Sequence, residues 1–212
     1  MWSGPRPPAP IGAYSRSILD EGAVADGQTD DFAALSSAIN KVGQQGGGVV
    51  RIPDRQVLIV LNAPASGPIF TLPDNVVIRG DGPHAELIIQ NANTAHWNAL
   101  FNLTSRDCHL EDITLTRGND FAGAFVVLGG ATDTWLYNVV LDGCRDIFGS
   151  DWHGIIFSGM LPTVLDGLVL SHLTIRRCDF GLLQDSSKTL TVQRVTVDRS
   201  LFEYNYAKRS RV

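Results

Sequence analysis

The chain has 212 residues, enough for one hydrophobic core or for one solenoid of several coils. Its 17 Lys and Arg residues against 22 Asp and Glu give a formal net charge of -5, so we expect no nucleic-acid partner. No run approaches the roughly 18 apolar residues that a membrane-spanning helix needs. Three cysteines cannot all pair within one chain, and no Cys or His spacing predicts a metal site, so we expect neither a disulfide scaffold nor a cofactor.

The first 18 residues are rich in proline and have little periodicity, which predicts a flexible, extended arm over residues 1–18. Two interpretations remain open: a disordered leader, or a peptide that anchors the protein to a larger particle. No apolar segment typical of a secretory signal is visible. Residues 19–212 are expected to form a single domain.

A short helix is predicted after the arm. Thr29 is the expected N-cap, with Asp30 and Asp31 in the first turn, where exposed N–H groups and the helix dipole favour negative charge. Gly43 is expected to end the helix. One apolar face follows from the three- and four-residue spacing of Phe32, Leu35, Ile39 and Val42. That face must cover a hydrophobic core.

A glycine run separates this helix from the first predicted strand. Gly46–Gly48 allow a sharp turn with positive φ, residues 49–52 begin a strand, and Pro53 ends it. Four further short apolar segments favour strands over helices: residues 58–60, 69–70, 76–78 and 87–89.

Spaced motifs between residues 20 and 90 carry a family resemblance: Asp26-Gly27, Thr29-Asp30-Asp31, Gly46-Gly47-Gly48, Pro53, Leu72-Pro73-x-Asn75-Val76 and Gly80-x-Gly82. This pattern resembles the N-terminal signature of the pectate-lyase-like superfamily. The resemblance implies an all-β fold, a right-handed parallel β-helix whose open N-terminal end is covered by a capping α-helix. Two family motifs differ here, at 19–23 before the loop and at 53–57 after the first strand.

A repeat of the form apolar-x-x-apolar-x-apolar begins at Leu110, Leu136, Leu170 and Val192. The offsets of 26, 34 and 22 residues predict a solenoid whose coils differ in loop length. Stacking the repeats predicts two inward columns and one column of small residues: Ile113, Val139, Leu173 and Val195; Leu115, Leu141, Ile175 and Val197; Gly118, Cys144, Cys178 and Ser200. Cys144 and Cys178 would then lie within disulfide reach, although stacked reduced thiols are the state we expect.

The densest candidate site is the segment from 144 to 159. In an extended backbone, Asp151 and His153 point to the same side, as an acid/base pair must, and Asp146 lies nearby. Trp152 and Trp135 can offer apolar faces to sugar rings, with simple packing as the alternative.

Asp151-Trp152-His153 resembles the Asp-Pro-His segment of alginate epimerases and similar lyases. The resemblance implies a uronate reaction in which His153 and a tyrosine transfer the C5 proton while Asp151 and an arginine assist. Tyr204 and Arg176 or Arg177 are the candidates for those partners. His153-Gly154 also resembles the Gly-His-Gly segment of polygalacturonase-type hydrolases.

A hydrolase would instead need two carboxylates roughly 5 to 10 Å apart. The candidates are Asp146, Asp151, Asp179 and Asp185, although turns of a β-helix favour aspartate for backbone reasons alone. Lyase, hydrolase and epimerase chemistry therefore all stay open.

Together these observations predict a carbohydrate-active β-helix that binds and cleaves or modifies an acidic polysaccharide, in the manner of a phage tailspike depolymerase. The alternative is a non-catalytic polysaccharide-binding adhesin or structural spike. No further repeat or capping helix follows Leu201, so we expect a last coil that is truncated or covered by a partner, with a homotrimer as in similar spikes. The expected location is extracellular or on a virion.

Overall fold

A computed structural model describes residues 14–62, 67–92, 98–118, 123–143, 153–157, 163–178, 180–184 and 190–203. Within these ranges one α-helix, α1 (Phe32–Gln44), follows a 3₁₀ turn (Ile18–Glu21). The strands are β1 (Ser15–Ser17), β2 (Gly48–Ile52), β3 (Gln56–Leu61), β4 (Gly67–Thr71), β5 (Val76–Gly80), β6 (Glu86–Asn91), β7 (Asn98–Leu103), β8 (His109–Arg117), β9 (Gly123–Leu128), β10 (Trp135–Asp142), β11 (His153–Phe157), β12 (Thr163–Asp166), β13 (Val169–Ser171), β14 (Thr174–Arg176), β15 (Phe180–Gln184), β16 (Leu190–Gln193), β17 (Thr196–Asp198) and β18 (Leu201–Glu203).

The strands stack in parallel, each one pairing with its counterpart in the next coil. The largest sheet runs in the order β1-β2-β5-β8-β10-β13-β17, and a second row of the same sheet joins β3, β6, the later halves of β8 and β10, β14 and β18. A second sheet runs β15-β11-β9-β7-β4, and β12 pairs with β16. Parallel crossovers of this kind are right-handed. The fold is a right-handed parallel β-helix, as the resemblance implied.

The interior of the solenoid contains the predicted apolar columns for three of the four repeats. In the first predicted column Ile113 pairs with Val139, and Leu173 of the next coil is buried as they are. In the second, Leu115, Leu141 and Ile175 stack in register and are fully buried. The residues that begin the repeats, Leu110, Leu136 and Leu170, form a further buried column. Because each coil contributes one residue to each column, a single contiguous core forms along the axis.

The predicted placement of the fourth repeat is wrong, because the strand that continues the main sheet is β17 and not β16. Val192 pairs with Leu165 in the small β12–β16 pair, whereas Val197 pairs with Leu170. Val195 and Val197 are 40% and 53% exposed, so neither belongs to an inward column. Apolar residues recur twice within residues 190–203, and the pattern alone does not say which set continues the main sheet.

The small-residue column is changed for the same reason. Ser200 does not stack on Cys178, because its Oγ accepts a hydrogen bond from the Leu173 backbone N–H at 3.3 Å. Cys108 and Cys178 are both fully buried, and burial raises the pKa of Cys108 to about 12. Cys144 lies outside the described residues, so its predicted contact with Cys178 stays a prediction.

The capping helix α1 has the predicted apolar face but a different start and end. Leu35, Ile39 and Val42 are buried in the core of the first coils. Thr29 is not the N-cap, because its hydroxyl donates to Asp26 at 3.0 Å and Asp31 occupies the cap position. The Asp31 carboxylate instead accepts hydrogen bonds from the backbone N–H groups of residues 24 and 25. The helix continues one residue past Gly43, to Gln44.

Glu21 ties the 3₁₀ turn to α1. Its carboxylate accepts hydrogen bonds from Lys41 Nζ, Ser37 Oγ and Arg16 Nε. These donors, with Lys41 contributing most, lower the pKa of Glu21 to about 2. The predicted flexible arm also meets the solenoid here, because Ser15–Ser17 pair with β2 rather than remaining outside the sheet. Residues 1–13 lie outside the described part of the chain.

The predicted glycine turn is confirmed. Gly46, Gly47 and Gly48 have φ values of +81°, +119° and +139°. A Cβ at Gly48 would lie 2.2 Å from the carbonyl oxygen of Tyr14, so no other residue fits where β1 and β2 meet.

Among the described residues, no helix is long and apolar enough to cross a membrane.

Candidate functional site

Several predicted site residues lie outside the described residues: Asp146, Asp151, Trp152, Asp179, Asp185 and Tyr204. Their proposed roles therefore stay predictions. The structure places four others, namely His153, Trp135, Arg176 and Arg177.

His153 begins β11 in the second sheet. It pairs with Ala124 of β9 and with Phe180 of β15, and only 5% of its surface is exposed. Arg176 and Arg177 lie instead at the end of β14, in the largest sheet. The structure therefore does not bring the predicted base and the predicted arginines together on one sheet.

Trp135 begins β10 in the largest sheet and is half-buried. Its ring lies 6.4 Å from that of His109, the residue with which it pairs in the preceding coil. This contact supports the packing interpretation of Trp135, since part of the indole face that a sugar would need already meets His109.

Asp142 holds both predicted arginines. It ends β10 and pairs directly with Arg176, whose Nε and Nη2 donate to Oδ2 at 2.9 and 2.8 Å. Arg177 has a φ of +59°, an uncommon conformation for a long side chain, and its Nε and Nη2 both lie 2.5 Å from Oδ1. The Asp142 side chain is 6% exposed, whereas the two arginines are 44% and 56% exposed. Two guanidinium groups share one carboxylate, which leaves one positive charge in excess.

These residues line a cleft of about 480 Å³ on the outer face of the largest sheet, which we call the arginine cleft. Its charged and hydroxyl lining residues include Arg55, Glu86, Thr116, Asp142, Arg176 and Arg177. Three arginines face two carboxylates, so the cleft is positive although the whole chain carries a net charge of -5. Its volume falls in the range of about 300–1,000 Å³ that is usual for small-molecule sites.

Glu86 supplies the second carboxylate of the arginine cleft. It begins β6 and accepts a hydrogen bond from Gln56 Nε2 at 2.8 Å. Register places Glu86 beside Thr114, while Asp142 lies beside Thr116 one coil further on. Glu86 and Asp142 are therefore two coils apart and offset by two residues along the strand direction, which puts their Cα atoms about 12 Å apart. Side chains of this length can bring two carboxyl groups to the spacing of about 6.5–9.5 Å used by inverting glycosidases.

A buried ionic cluster occupies the first row of the same sheet. Glu111 is 4% exposed and contacts Arg79 Nη2 at 2.6 Å and His109 Nδ1 at 3.4 Å. Burial alone would raise the pKa of Glu111, but the hydrogen bond from His109 and the charge of Arg79 together hold it below its usual value. Within the described residues, the buried Nε2 of His109 has no hydrogen-bond partner. Because Glu111 and His109 are shielded from solvent, this cluster is structural in the described state.

Sequence reasoning missed Asp142, Glu86 and the Glu111 cluster. A signal for Asp142 was present, since stacking the repeats that begin at Leu136 and Leu170 places Asp142 opposite Arg176. Glu86 and Glu111 occupy ordinary strand positions, and only the coil stacking shows what surrounds them. The described residues contain no group of three or more His, Cys, Asp or Glu side chains that could hold a metal ion.

Comparison with known proteins gives relatives by structure alone, because no family model and no curated protein sequence matches this chain. A tailspike protein of E. coli bacteriophage HK620, solved in complex with a pentasaccharide, aligns with 91% of this chain at 15% identity and a TM-score of 0.66. The ORF18 protein of Geobacillus virus E2 covers 89% of the chain at 16% identity, with a TM-score of 0.53.

This chain shares the β-helix fold of these proteins. A candidate glycosyl hydrolase from Parabacteroides merdae also aligns, over 87% of this chain and 96% of its own, at 16% identity and a TM-score of 0.50. The chain spans 36% of the tailspike and 42% of the Geobacillus virus protein. Identities this low establish the fold and not the activity.

Proposed function

We propose that this chain binds an acidic polysaccharide in the arginine cleft and cleaves it, as a β-helix depolymerase of the tailspike kind. The observation that carries the proposal is a positive cleft on a negatively charged chain, with Arg176 and Arg177 each about half exposed. Asp142 orients both guanidinium groups, and their remaining N–H donors can bind the carboxylate of an acidic sugar in the planar, two-pronged manner typical of arginine.

Hydrolysis is the chemistry that the cleft supports best. Glu86 is the proposed general acid, which protonates the glycosidic oxygen as the bond to C1 breaks. Asp142 is the proposed base that takes a proton from the attacking water. The lyase alternative, with His153 as base and Asp151 beside it, needs His153 to reach the polymer from a buried position.

One observation favours a binding-only protein as the second candidate. Two guanidinium nitrogens already lie within hydrogen-bond distance of each Asp142 oxygen, so the lone pairs that a water proton would need are occupied. A non-catalytic adhesin or structural spike would use the same cleft and the same guanidinium groups only to hold the polymer. Association with a virion or an extracellular surface, and assembly as a homotrimer, belong to this proposal under either function.

The test measures binding and chain length with a panel of acidic polysaccharides. Arg177→Gln should weaken binding about tenfold, because one of two guanidinium contacts is lost. Arg194→Gln is the matched control, since Arg194 pairs with Asp166 outside the arginine cleft. Glu86→Gln should retain binding and abolish cleavage. Products without unsaturated ends establish hydrolysis, and unsaturated ends establish a lyase.

Binding without shortening of the polymer would favour the adhesin, and an unchanged affinity of Arg177→Gln would refute the arginine cleft as the site. Light scattering of the same preparation tests the proposed trimer directly.

A further inference from the structure

A second cleft adjoins the arginine cleft. It has a volume of about 470 Å³ and shares Pro83 and Thr114 with its neighbour, so one ligand can extend across both. We call it the corner cleft, because it lies where the first row of the largest sheet bends into the second. Its polar side chains come from Asp81, Asp112, Asn138 and the shared Thr114.

The two clefts differ in charge. Three arginines line the arginine cleft, whereas the described lining of the corner cleft contains two aspartates and no Lys, Arg or His. Asp81 is paired with Arg51 at 2.8 Å. Asp112 has no basic partner among the described residues and accepts one side-chain hydrogen bond, from Asn138 Nδ2 at 2.8 Å. The corner cleft therefore presents an uncompensated carboxylate.

The backbone holds these two polar residues in place. Asp112 and Asn138 occupy equivalent positions in successive coils, and both have a φ of +52°. Asp and Asn are among the few residues with side chains that tolerate this conformation, so each can support the left-handed turn while lining the cleft. Gly80 fits beneath them because a Cβ there would lie 2.0 Å from the Asp112 carbonyl oxygen.

Different sugars suit the two clefts. A neutral sugar offers hydroxyl groups that can donate to the Asp112 carboxylate and accept from the Asn138 amide. A sugar that carries a carboxylate would place a second negative charge beside Asp112 without a cation to compensate it. The arginine cleft has the opposite preference. Arg176 and Arg177 together carry one positive charge more than Asp142 neutralises, and the carboxylate of an acidic sugar can compensate that charge.

We infer that the ligand is a heteropolysaccharide in which an acidic sugar is followed by a neutral one, with the acidic sugar in the arginine cleft and the neutral sugar in the corner cleft. This inference rests on the proposed function and narrows its substrate class. It excludes polymers made of uronic acid alone as the preferred ligand.

The test compares oligosaccharides of equal length by titration calorimetry: hyaluronan fragments, which alternate a uronate with a neutral N-acetylhexosamine; oligogalacturonate, which is uronate throughout; and neutral dextran fragments. The wild-type chain should bind the alternating fragment about tenfold more tightly than the all-uronate one. Asp112→Asn removes the charge and keeps the left-handed turn. This variant should bind the all-uronate fragment about tenfold more tightly than the wild type does, and its affinity for the alternating fragment should change less than twofold.

Asp107→Asn is the matched control, because Asp107 also has a φ of +52° but does not line either cleft. It should change neither affinity. The inference would be overturned if the wild-type chain bound the all-uronate fragment as tightly as the alternating one and Asp112→Asn left that affinity unchanged. The proposed function would then still stand. If the wild-type chain bound none of the three fragments, the proposed function and the inference would both fail.

Discussion

Replacing Asp142 with Asn tests whether one carboxylate organises the arginine cleft. The side chain is 6% exposed and accepts from four guanidinium nitrogens, all within 2.9 Å. A hydrogen bond to a charged group contributes about 1.5–3 kcal/mol when buried, but an exposed ion pair contributes only about 0.2–1 kcal/mol. Since both arginines are about half exposed, we take about 1 kcal/mol for each pair, so Asp142→Asn should lower the free energy of unfolding by about 2 kcal/mol.

Urea denaturation followed by circular dichroism measures this change in the free energy of unfolding. For a chain of this size, the same loss should lower the Tm in a thermal melt by about 4–8 °C. The matched control is Asp166→Asn, which removes a carboxylate from the more exposed pair with Arg194 and should cost clearly less. An Asp142→Asn chain as stable as the wild type, within about 0.5 kcal/mol, would refute the reasoning. It would mean that the guanidinium groups do not depend on this carboxylate for their position.

Three further predictions follow from the described residues. The pKa of Glu21 is about 2 in the fold against 4.5 for the free side chain, so its stabilising contact with Lys41 is complete above about pH 4.5. Stability should fall between about pH 4.5 and 2, and Glu21→Gln should lose most of that dependence in acid titrations followed by circular dichroism. Gly80→Ala should destabilise the fold by about 3 kcal/mol or more, because its Cβ would meet a backbone carbonyl 2.0 Å away. Gly46→Ala, which meets no atom within 4 Å, should cost only about 1 kcal/mol for its positive φ; equal losses by urea denaturation would contradict this. The Cys108 thiol should resist alkylation in the native protein and react on unfolding, as mass spectrometry of the labelled peptide can show; rapid native labelling would exclude its burial.

The parts of the fold that could be predicted from sequence are those fixed by spacing along the chain. The apolar face of α1, the glycine turn and the column through Leu115, Leu141 and Ile175 depend on local periodicity and are confirmed. The Val192 repeat failed because register in a parallel solenoid depends on loop length, and two apolar patterns lie within a few residues of each other. Thr29 failed as a cap because Asp26 competes for its hydroxyl.

The candidate site was harder to predict, because motifs along the chain say little about neighbours across coils. His153 and Trp135 drew attention as residues of reactive or sugar-binding type, yet one is buried and the other meets His109. Arg176 and Arg177 were chosen for their charge, and their carboxylate partner lies 34 and 35 residues earlier in the chain. Only a correct register brings such residues together. The first three repeats carry that register, whereas the motifs in the segment from 144 to 152 say nothing about it.

The stacking of coils also explains why a β-helix can change ligand without changing its core. Inward columns need only apolar residues of suitable volume, so they say nothing about chemistry. Outward rows place one residue per coil at a spacing of about 4.8 Å, so a charge at one position always faces its counterparts in the coils before and after. In this chain the row that contains Thr116, Asp142 and Arg176 continues to Glu203. Acid and base alternate along it from Asp142 onward, so Arg176 lies between carboxylates of the coils before and after it. The positive excess of the arginine cleft comes from Arg177 and Arg55, which line the cleft from outside this row.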